Sequence, residues 1–440
     1  MAAPAGVTSE TGYYIDADGG WIHNPELLGR GLRYFEQMTG VQPYLYILPN
    51  GAATSTSDLQ SRAEKLYGEL FPDDWDFIFV CCDDGEGSLN FGYAVGSQAN
   101  AIMDSEAISI LVDCLGRYYN DLSLSEEEIF SNVFIKVAEY IVRVDLASRT
   151  VDSDAVPDDC IEYGEYAYVI LDDGTAEIVR WCGDDTVLEV PSSIDGRPVS
   201  SIGAFAFAGP AETVSIPASV DVIEGNPFAL CGLLEKIEVR GDEGSLVAID
   251  GVLFDSESRT LLCYPRAKSG MEYTVPEDTV SVGEYAFYGC KNLSAVVLSD
   301  SVEDVAPSAF DGCRSLTSIR ASPDNETLAS IDGVLFRKSD KSLLRYPEGL
   351  SEPLYYVPDG ILAIGPGAFK ECRPLNEIVL PESVVSVGEL AFDACEALER
   401  VLLPDTIENI GSSPFFGLPS SCRDFSVREG TTRDCWRRPR

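Results

Sequence analysis

Hydrophobic positions follow two different rhythms along this chain. Over the first 150 residues, apolar stripes at helical spacing alternate with short apolar runs. In Asn24–Gly40, the residues Leu28, Leu32, Phe35 and Met38 form one helical face. Asn24 stands as its cap, Pro25 at its first position and Gly40 as its stop. Val41–Leu48 reads as a strand. A second helix is predicted over Ser57–Leu70, with Leu59, Ala63, Leu66 and Leu70 aligned. A buried strand at Phe77–Cys82, a turn at Asp83–Ser88 and a hairpin partner at Leu89–Gly96 follow. Ile108, Leu111 and Leu115 align on a third helix, Asp104–Tyr119. Ser125–Glu128 is a capping box that opens a fourth helix through Ile129, Val133, Val137 and Ile141. The fold class predicted for this part is α/β, a small mixed sheet covered by helices on both faces.

From Pro191 onward the rhythm is a repeat. Phe207, Phe228, Phe287, Phe310, Phe369, Phe392 and Phe415 follow one another at steps of 21 or 23 residues, interrupted by two steps of 59. A larger unit of 82 residues is itself repeated: "IDGVLF" starts at Ile249 and again at Ile331, and "LLCYP" at Leu261 returns as "LLRYP" at Leu343. Eleven residues before six of those phenylalanines stand Pro217, Pro276, Ser299, Pro358, Pro381 and Pro404, each closing a short apolar strand. Gly283, Gly365 and Gly388 follow, where positive φ or close backbone approach is cheap. A turn of the form Ala-Phe-x-x-Cys then points inward. One such coil cannot bury its own Leu, Val, Ile and Phe, but stacked coils bury each other's. The prediction is a solenoid with short parallel strands, roughly ten coils spanning about 50 Å at a strand spacing near 4.8 Å.

These residues resemble the BspA-type leucine-rich repeat, a family of mainly bacterial surface and secreted proteins. Tyr166–Phe207 resembles the family's N-terminal hairpin cap and first coil. The resemblance covers about 160 to 430 and implies an extracellular or envelope-associated protein whose solenoid contacts a protein or a glycan. Departures are local: Pro210 and Leu418 replace Cys in the first and last units, and Gly225–Phe228 loses the Ala. In the first part, Thr39–Leu48, and Gly96 followed by Asp104, resemble a TPM domain over about 11 to 145. That resemblance implies, for some members, phosphatase activity or a bound divalent cation.

Composition narrows the partners. The 440 residues carry 73 acidic and 31 basic side chains, a net charge of −42. Such a field repels phosphate backbones, so nucleic acid is excluded as a partner, and it favours cations and basic proteins. The one basic cluster is the tail Arg433–Arg440. No apolar run reaches the ~18–20 residues that span a bilayer. No basic and apolar leader opens the chain, so a soluble chain is the expectation and its mode of membrane anchoring is not visible. Thirteen cysteines include no C-x-x-C pair. Cys231, Cys290, Cys313, Cys372 and Cys395 all occupy the F-x-x-C position, where a coil spacing is wider than the ~3.8 Å between Cβ atoms of a disulfide; buried packing is their reading.

Candidate chemistry is confined to carboxylates. Asp16, Asp18, Asp73, Asp74, Asp76, Asp104 and Glu106 lie near predicted strand ends, where loops of open α/β sheets converge. Hard oxygen ligands suit Ca²⁺ or Mg²⁺, and Asp16, Asp18, Asp74 and Asp104 are the candidate metal ligands. The competing reading is that loop-tip aspartates in so acidic a chain are solvated or cap helices. His23 is the single histidine and belongs to the flank of the first helix. G-x-S-x-G, H-E-x-x-H, P-loop and G-x-G-x-x-G patterns are absent, so no catalytic residue is assigned. The expected organisation is an α/β domain over 1–148, a linker over 149–162, a solenoid over 163–430 and a basic tail over 431–440. Two inserted hairpins, Gly251–Pro265 and Gly333–Pro347, are either contact points or decoration, the second being the more basic through Arg337, Lys338, Lys341 and Arg345. The functional reading is a non-enzymatic surface binding protein. The alternatives are a metal-dependent phosphatase-like domain with the solenoid as targeting arm, and an envelope assembly scaffold.

Overall fold

The computed structural model describes residues 13–17, 20–49, 51–52, 55–71, 76–83, 89–97, 99–119, 124–149, 160–181, 183–241, 244–395, 397–415 and 424–427. The first part contains β1 (Tyr14–Asp16), α1 (Pro25–Thr39), β2 (Gln42–Ile47), α2 (Thr56–Leu70), β3 (Asp76–Asp83), β4 (Leu89–Val95), α3 (Ser105–Tyr119) and α4 (Glu126–Arg149). β1, β2 and β3 run parallel and β4 closes the sheet antiparallel, in the order β1-β2-β3-β4. Alternation along β3 divides two cores. Ile78, Val80 and Cys82 lie under α2 with Leu59 and Ala63, whereas Phe77, Phe79 and Cys81 face the apolar stripes of α1, α3 and α4. The predicted caps form: Asn24 Oδ1 accepts from the Leu27 N–H, and Ser125 and Glu128 exchange both capping-box hydrogen bonds. The outer edge of β4 is closed by a side chain, since Gln60 accepts from the Tyr93 N–H at 3.2 Å and donates to the Tyr93 carbonyl at 2.9 Å.

Residues Ile161–Tyr163, Tyr166–Ile170 and Ala176–Trp181 form antiparallel hairpins that open the solenoid. Thr150–Asp159, read as linker, lie outside the described residues. Each coil then contributes a strand of three to five residues ending at or just before the Pro position. A second strand of two residues, such as Ser281–Val282 or Ser386–Val387, precedes the Gly. Sequence reading missed the second strand because two residues are too few to show alternation. Gly365 is needed for closeness rather than for positive φ: a Cβ there would stand 2.8 Å from the Leu343 carbonyl of the preceding coil. The left-handed residues fall two places before or after the Phe instead, as at Tyr285, Leu390 and Gly289.

An aromatic ladder runs through the core. Phe287 and Phe310 stack at 5.1 Å, Phe369 and Phe392 at 5.4 Å, and Phe392 and Phe415 at 5.4 Å, with planes within 15° of each other. Tyr264 and Tyr346 continue it, at 5.3 Å from Phe287 and 5.4 Å from Phe369. Each 59-residue step therefore hides a third coil whose Tyr takes the Phe position, 23 residues before the next Phe. Backbone bonds tie the rungs together: the N–H groups of Tyr264, Phe287, Tyr346 and Phe369 donate to Ala286, Ala309, Ala368 and Ala391 of the next coil at 2.7–2.8 Å. Cys313 and Cys395 are buried, and their thiols reach back to the Phe287 and Phe369 carbonyls at 2.9 Å. The described cysteines form no disulfide. The inserted hairpins turn at Asp250–Gly251 and Asp332–Gly333, both residues at positive φ, which is the geometry of a type I′ turn.

The two parts are joined along the Ala-Phe edge of the early coils. Phe205, Ala208, Ala229, Leu230 and Leu233 belong to the same apolar cluster as α1, α3 and α4, with Tyr285 and Tyr288 packed against it. Tyr34 donates its hydroxyl to the Leu230 carbonyl at 2.7 Å. The carboxyl end of α1 has no basic residue of its own in its last turn, and the solenoid supplies the cations. Lys291 Nζ donates to the Glu36 carbonyl at 3.0 Å, the Arg314 guanidinium rests against Gly40, and buried Arg266 donates to Met38 Sδ and to the Gly289 carbonyl. Arg266 also lies over the Tyr288 ring, 5.5 Å from its centre. Burial, and next the charge of Arg266, push the Lys291 ammonium well below its usual range, with Glu36 opposing.

One 82-residue unit later the same edge is closed from within. Asp311, Arg345 and Lys370 stand where the earlier unit has Ala229, Cys263 and Tyr288, and Glu348 replaces Arg266. Arg345 binds Asp311 at 2.9 Å and Glu348 at 2.6 Å, Lys370 binds Asp311 at 2.6 Å, and the Gly312 N–H donates to Glu348 at 2.9 Å. Arg345, counted in the basic hairpin, is thus buried and adds nothing to a basic surface. Arg337 is likewise paired, with Asp304 at 2.7 Å. Burial and the nearby Glu371 push the Glu348 carboxyl well up, toward its neutral form.

Two outcomes follow from these contacts. Asp311→Ala leaves the Arg345 guanidinium buried with one carboxylate fewer, and urea unfolding should register a loss of about 3–5 kcal/mol. Glu348→Gln retains the acceptor for Gly312 and Arg345 and should cost far less; a loss equal to that of Asp311→Ala would show that Arg345 depends on both carboxylates alike. At the joint, a Cβ on Gly232 would stand 2.8 Å from Met38 Sδ and 3.3 Å from the Tyr34 ring. Gly232→Val should therefore split thermal unfolding into two steps and raise hydrogen exchange in residues 34–41 and 285–291, while the later coils stay protected. A single unchanged transition would show that the joint does not couple the two parts.

Candidate ligand-binding surface

Strands that end near the Pro position pair in parallel register into three sheet segments along one side of the solenoid. The first holds Val187–Glu189, Thr213–Pro217 and Lys236–Arg240; the second holds Glu272–Thr274, Ala295–Leu298 and Ser318–Ala321. The third holds Leu354–Tyr356, Glu377–Val379, Arg400–Leu403 and Asp424–Val427. Inserted hairpins separate them, because the Ile237 and Ile319 N–H groups donate to Gly251 and Gly333 in the hairpin turns. The third segment, with four strands, is the longest.

Alternation decides which side chains face out. In the third segment Tyr355, Ile378 and Val401 point inward, Tyr355 packing edge-on against Tyr346 at 4.8 Å. Leu354 and Tyr356 face outward and are exposed, Tyr356 at 65%. Register places Tyr356 beside Val379 and Val379 beside Leu402, an apolar row across three coils. The row next to it is Leu354, Glu377 and Arg400, with Arg400 and Glu377 paired at 3.6 Å. The other segments place mostly polar residues at the matching positions: Thr274 and Arg320 on either side of Val297 in the second, and Glu189, Ser215 and Glu238 in the first. Their exposed ion pairs, Arg240–Glu189 at 3.3 Å and Arg320–Glu272, contribute little to stability. Two open recesses of about 440 Å³ flank these faces. One is bounded by Glu189, Ser192, Pro217 and Arg240, the other by Val297, Arg320, Ser330 and Asp332.

The aspartates singled out as metal ligands lie elsewhere. Asp16 ends β1, level with Ile47 and so with Cys81, and its Oδ2 accepts from the Trp21 and Ile22 N–H groups at 2.8 and 2.9 Å. The chain leaves β4 at the opposite edge of the sheet, where Val95 is level with Phe77. It coils there through Ala99–Ala101 before Asp104, whose Oδ1 accepts from the Ala107 N–H at 2.9 Å as the cap of α3. Asp18 and Asp74 lie outside the described residues. Among the described residues, no group of three or more His, Cys, Asp or Glu side chains is placed to hold a metal ion. His23 is exposed, and its ring Nδ1 stands 3.2 Å from the Trp21 carbonyl. Its backbone N–H and that of Asn24 donate to Glu127, binding the start of α1 to the start of α4. Among the described residues no helix is long and apolar enough to cross a membrane.

The outward row was within reach of sequence reasoning, since a Leu-Tyr-Tyr strand must turn two of its three side chains out. Its neighbours were not, because only the register shows that Val379 and Leu402 line up with Tyr356.

Several solved structures are similar to this chain. A leucine-rich cell surface protein from Faecalibacterium prausnitzii is 22% identical, with 62% of this chain and 95% of that one covered and a TM-score of 0.30. A leucine-rich repeat protein from Eubacterium ventriosum is 19% identical, with 61% and 96% covered and a TM-score of 0.39. The pneumococcal vaccine antigen PcpA is 17% identical, with 60% and 80% covered and a TM-score of 0.31. No curated protein matches the chain. The family model for the BspA type leucine rich repeat region matches in six copies, over residues 188–261, 263–352 and 355–433. Matched over more than half its length by that model, the chain belongs to the BspA-type leucine-rich repeat family.

Proposed function

We propose that this chain is a non-enzymatic binding protein of the cell surface, which holds a protein ligand on the open face of its third sheet segment. The observation that carries the reading is the outward row Tyr356, Val379 and Leu402, apolar in three successive coils where the matching rows of the other two segments are mostly polar. An exposed aromatic group beside half-buried aliphatic ones, rimmed by charge, is a usual anchor of a protein contact. The surface location is what BspA-type repeats imply. In this reading the first domain, over 1–148, resembles a TPM domain and acts as a docking module; the basis is the order of its elements and the motif residues Thr39–Leu48, Gly96 and Asp104. A role as assembly scaffold is less well supported, since that reading needs a large apolar patch on the α/β domain, and apolar side chains of α1 are already committed to the coils beneath them.

Binding of the full chain to a panel of purified surface and matrix proteins, with a glycan array beside it, tests the ligand class. Tyr356→Ala should weaken the strongest protein interaction more than tenfold, in the range of about 2 kcal/mol typical of a hot spot. Val187→Ala, an exposed change on the first segment, should leave it intact. Indifference to Tyr356→Ala would remove the open face from the reading, and binding confined to glycans would replace the ligand class.

The metal-dependent phosphatase reading is tested by titrating Ca²⁺ and Mg²⁺ into the full chain. With one oxygen of Asp16 held by the Trp21 and Ile22 N–H groups and Asp104 capping α3, the expected result is weak binding at many acidic sites, unaltered in Asp74→Asn and Asp104→Asn. One tight site lost in either variant, with turnover of a phosphate ester, would establish the enzyme instead.

A further inference from the structure

The third segment carries a second row beside the apolar one. Asp359, Glu382 and Asp405 each follow the proline that ends a strand, three residues beyond Tyr356, Val379 and Leu402, and all three are exposed. The coils stay in register here, since the Val357 N–H donates to Val379 at 3.0 Å and the Leu380 N–H to Leu402 at 3.1 Å. An apolar row and a carboxylate row therefore run side by side along the solenoid axis, one member of each per coil. We propose that the ligand of this face is a basic amphipathic helix of a partner protein, lying across the strands with its apolar side on Tyr356, Val379 and Leu402 and its Lys or Arg side chains on Asp359, Glu382 and Asp405. This proposal rests on the reading of the open face as the binding surface and names the chemistry of its partner.

Spacing and charge both support that occupant. A helix advances about 5.4 Å per turn against about 4.8 Å per coil, so over three coils it stays nearly in step, presenting one apolar and one cationic side chain to each. An extended strand repeats a face only every ~6.6 Å and falls out of step. The net charge of −42 draws a cationic partner in from a distance. Arg400, which stands in the row beside the apolar one, pairs with Glu377 at 3.6 Å. The second segment has acidic residues at the same post-proline place, Glu277 and Asp300, but sets Thr274 and Arg320 where the third has Tyr356 and Leu402. A second copy of this chain is disfavoured because two carboxylate rows would meet.

The test uses a fluorescent synthetic helix with leucine on one face and lysine on the other, titrated into the full chain. Saturable binding is expected, weakened tenfold or more by Tyr356→Ala and by the combined Asp359→Asn, Glu382→Gln and Asp405→Asn changes. Added salt should weaken wild-type binding and have much less effect on the triple variant, while Thr274→Ala binds like wild type. All of these residues are exposed, and melting curves confirm that each variant is folded. Equal binding by all variants would assign the effect to the general acidic field and overturn the proposal, as would a glutamate-faced twin of the peptide binding equally well. Self-association of the wild type abolished by Tyr356→Ala would give the face to a second copy and overturn it too. If Tyr356→Ala weakens the protein interaction of the full chain but the lysine helix does not bind, the open face stands and the basic partner falls.

Discussion

No coil of this solenoid has a core of its own. Between the inserted hairpins, its Phe or Tyr is covered by the ring of the next coil and the N–H of that residue is satisfied by a carbonyl one coil on, so ring stacking and backbone pairing enforce the same register. Losing one ring, as in a Phe to Ala change, typically costs about 3–5 kcal/mol. Here it would also remove the cover of both neighbours. That dependence explains why the sequence repeats itself so closely at buried positions. It also leaves everything outside the ladder open to change, because an exposed side chain on one coil is not needed by the next.

The two 82-residue units show how that freedom is used. In the earlier one, small and aromatic residues at the turn edge (Ala229, Gly232, Tyr285, Tyr288) make a bed for α1, and Arg266 and Lys291 close the helix end. In the later one the equivalent edge carries Asp311, Arg345, Glu348 and Lys370, which satisfy one another. A buried ion network is seldom more stable than a packed apolar group. Its effect here is to keep the later coils from offering a second bed for the same helix. Docking is thereby confined to one place in a repetitive scaffold, and the sheet side of the solenoid stays clear of it.

What could be read from the residues divides along the same line. The Phe ladder, the helices of the first domain and both halves of the Ser125–Glu128 capping box were legible, because each rests on local spacing that burial or capping dictates. Tyr264 and Tyr346 were hidden by a change of ring and by a hairpin that lengthened the step. The joint was illegible for another reason. Its bonds link residues about 200 or more apart, Tyr34 to Leu230 and Lys291 to Glu36, and no periodicity marks a lone Gly232 as the seat of Met38. Asp16 and Asp104 drew attention as carboxylates at strand ends, a place where one holds the N–H groups of a loop and the other caps a helix as readily as either would hold a metal.

Rigidity ties the joint to the proposed binding face. A ligand lying across three coils meets side chains whose spacing is fixed by the ladder, so it loses little affinity to ordering the surface on which it rests. The α/β domain seated on the first coils extends that fixed geometry to the other end of the molecule, because its helix end is bonded to three successive coils through Leu230, Arg266 and Lys291. A partner bound on the proposed face would then be held at a set position relative to the α/β domain rather than on a loose tether. The −42 charge acts in the same direction, since repulsion among like-charged surfaces opposes self-association along an exposed sheet side that offers apolar groups to any partner of the right sign.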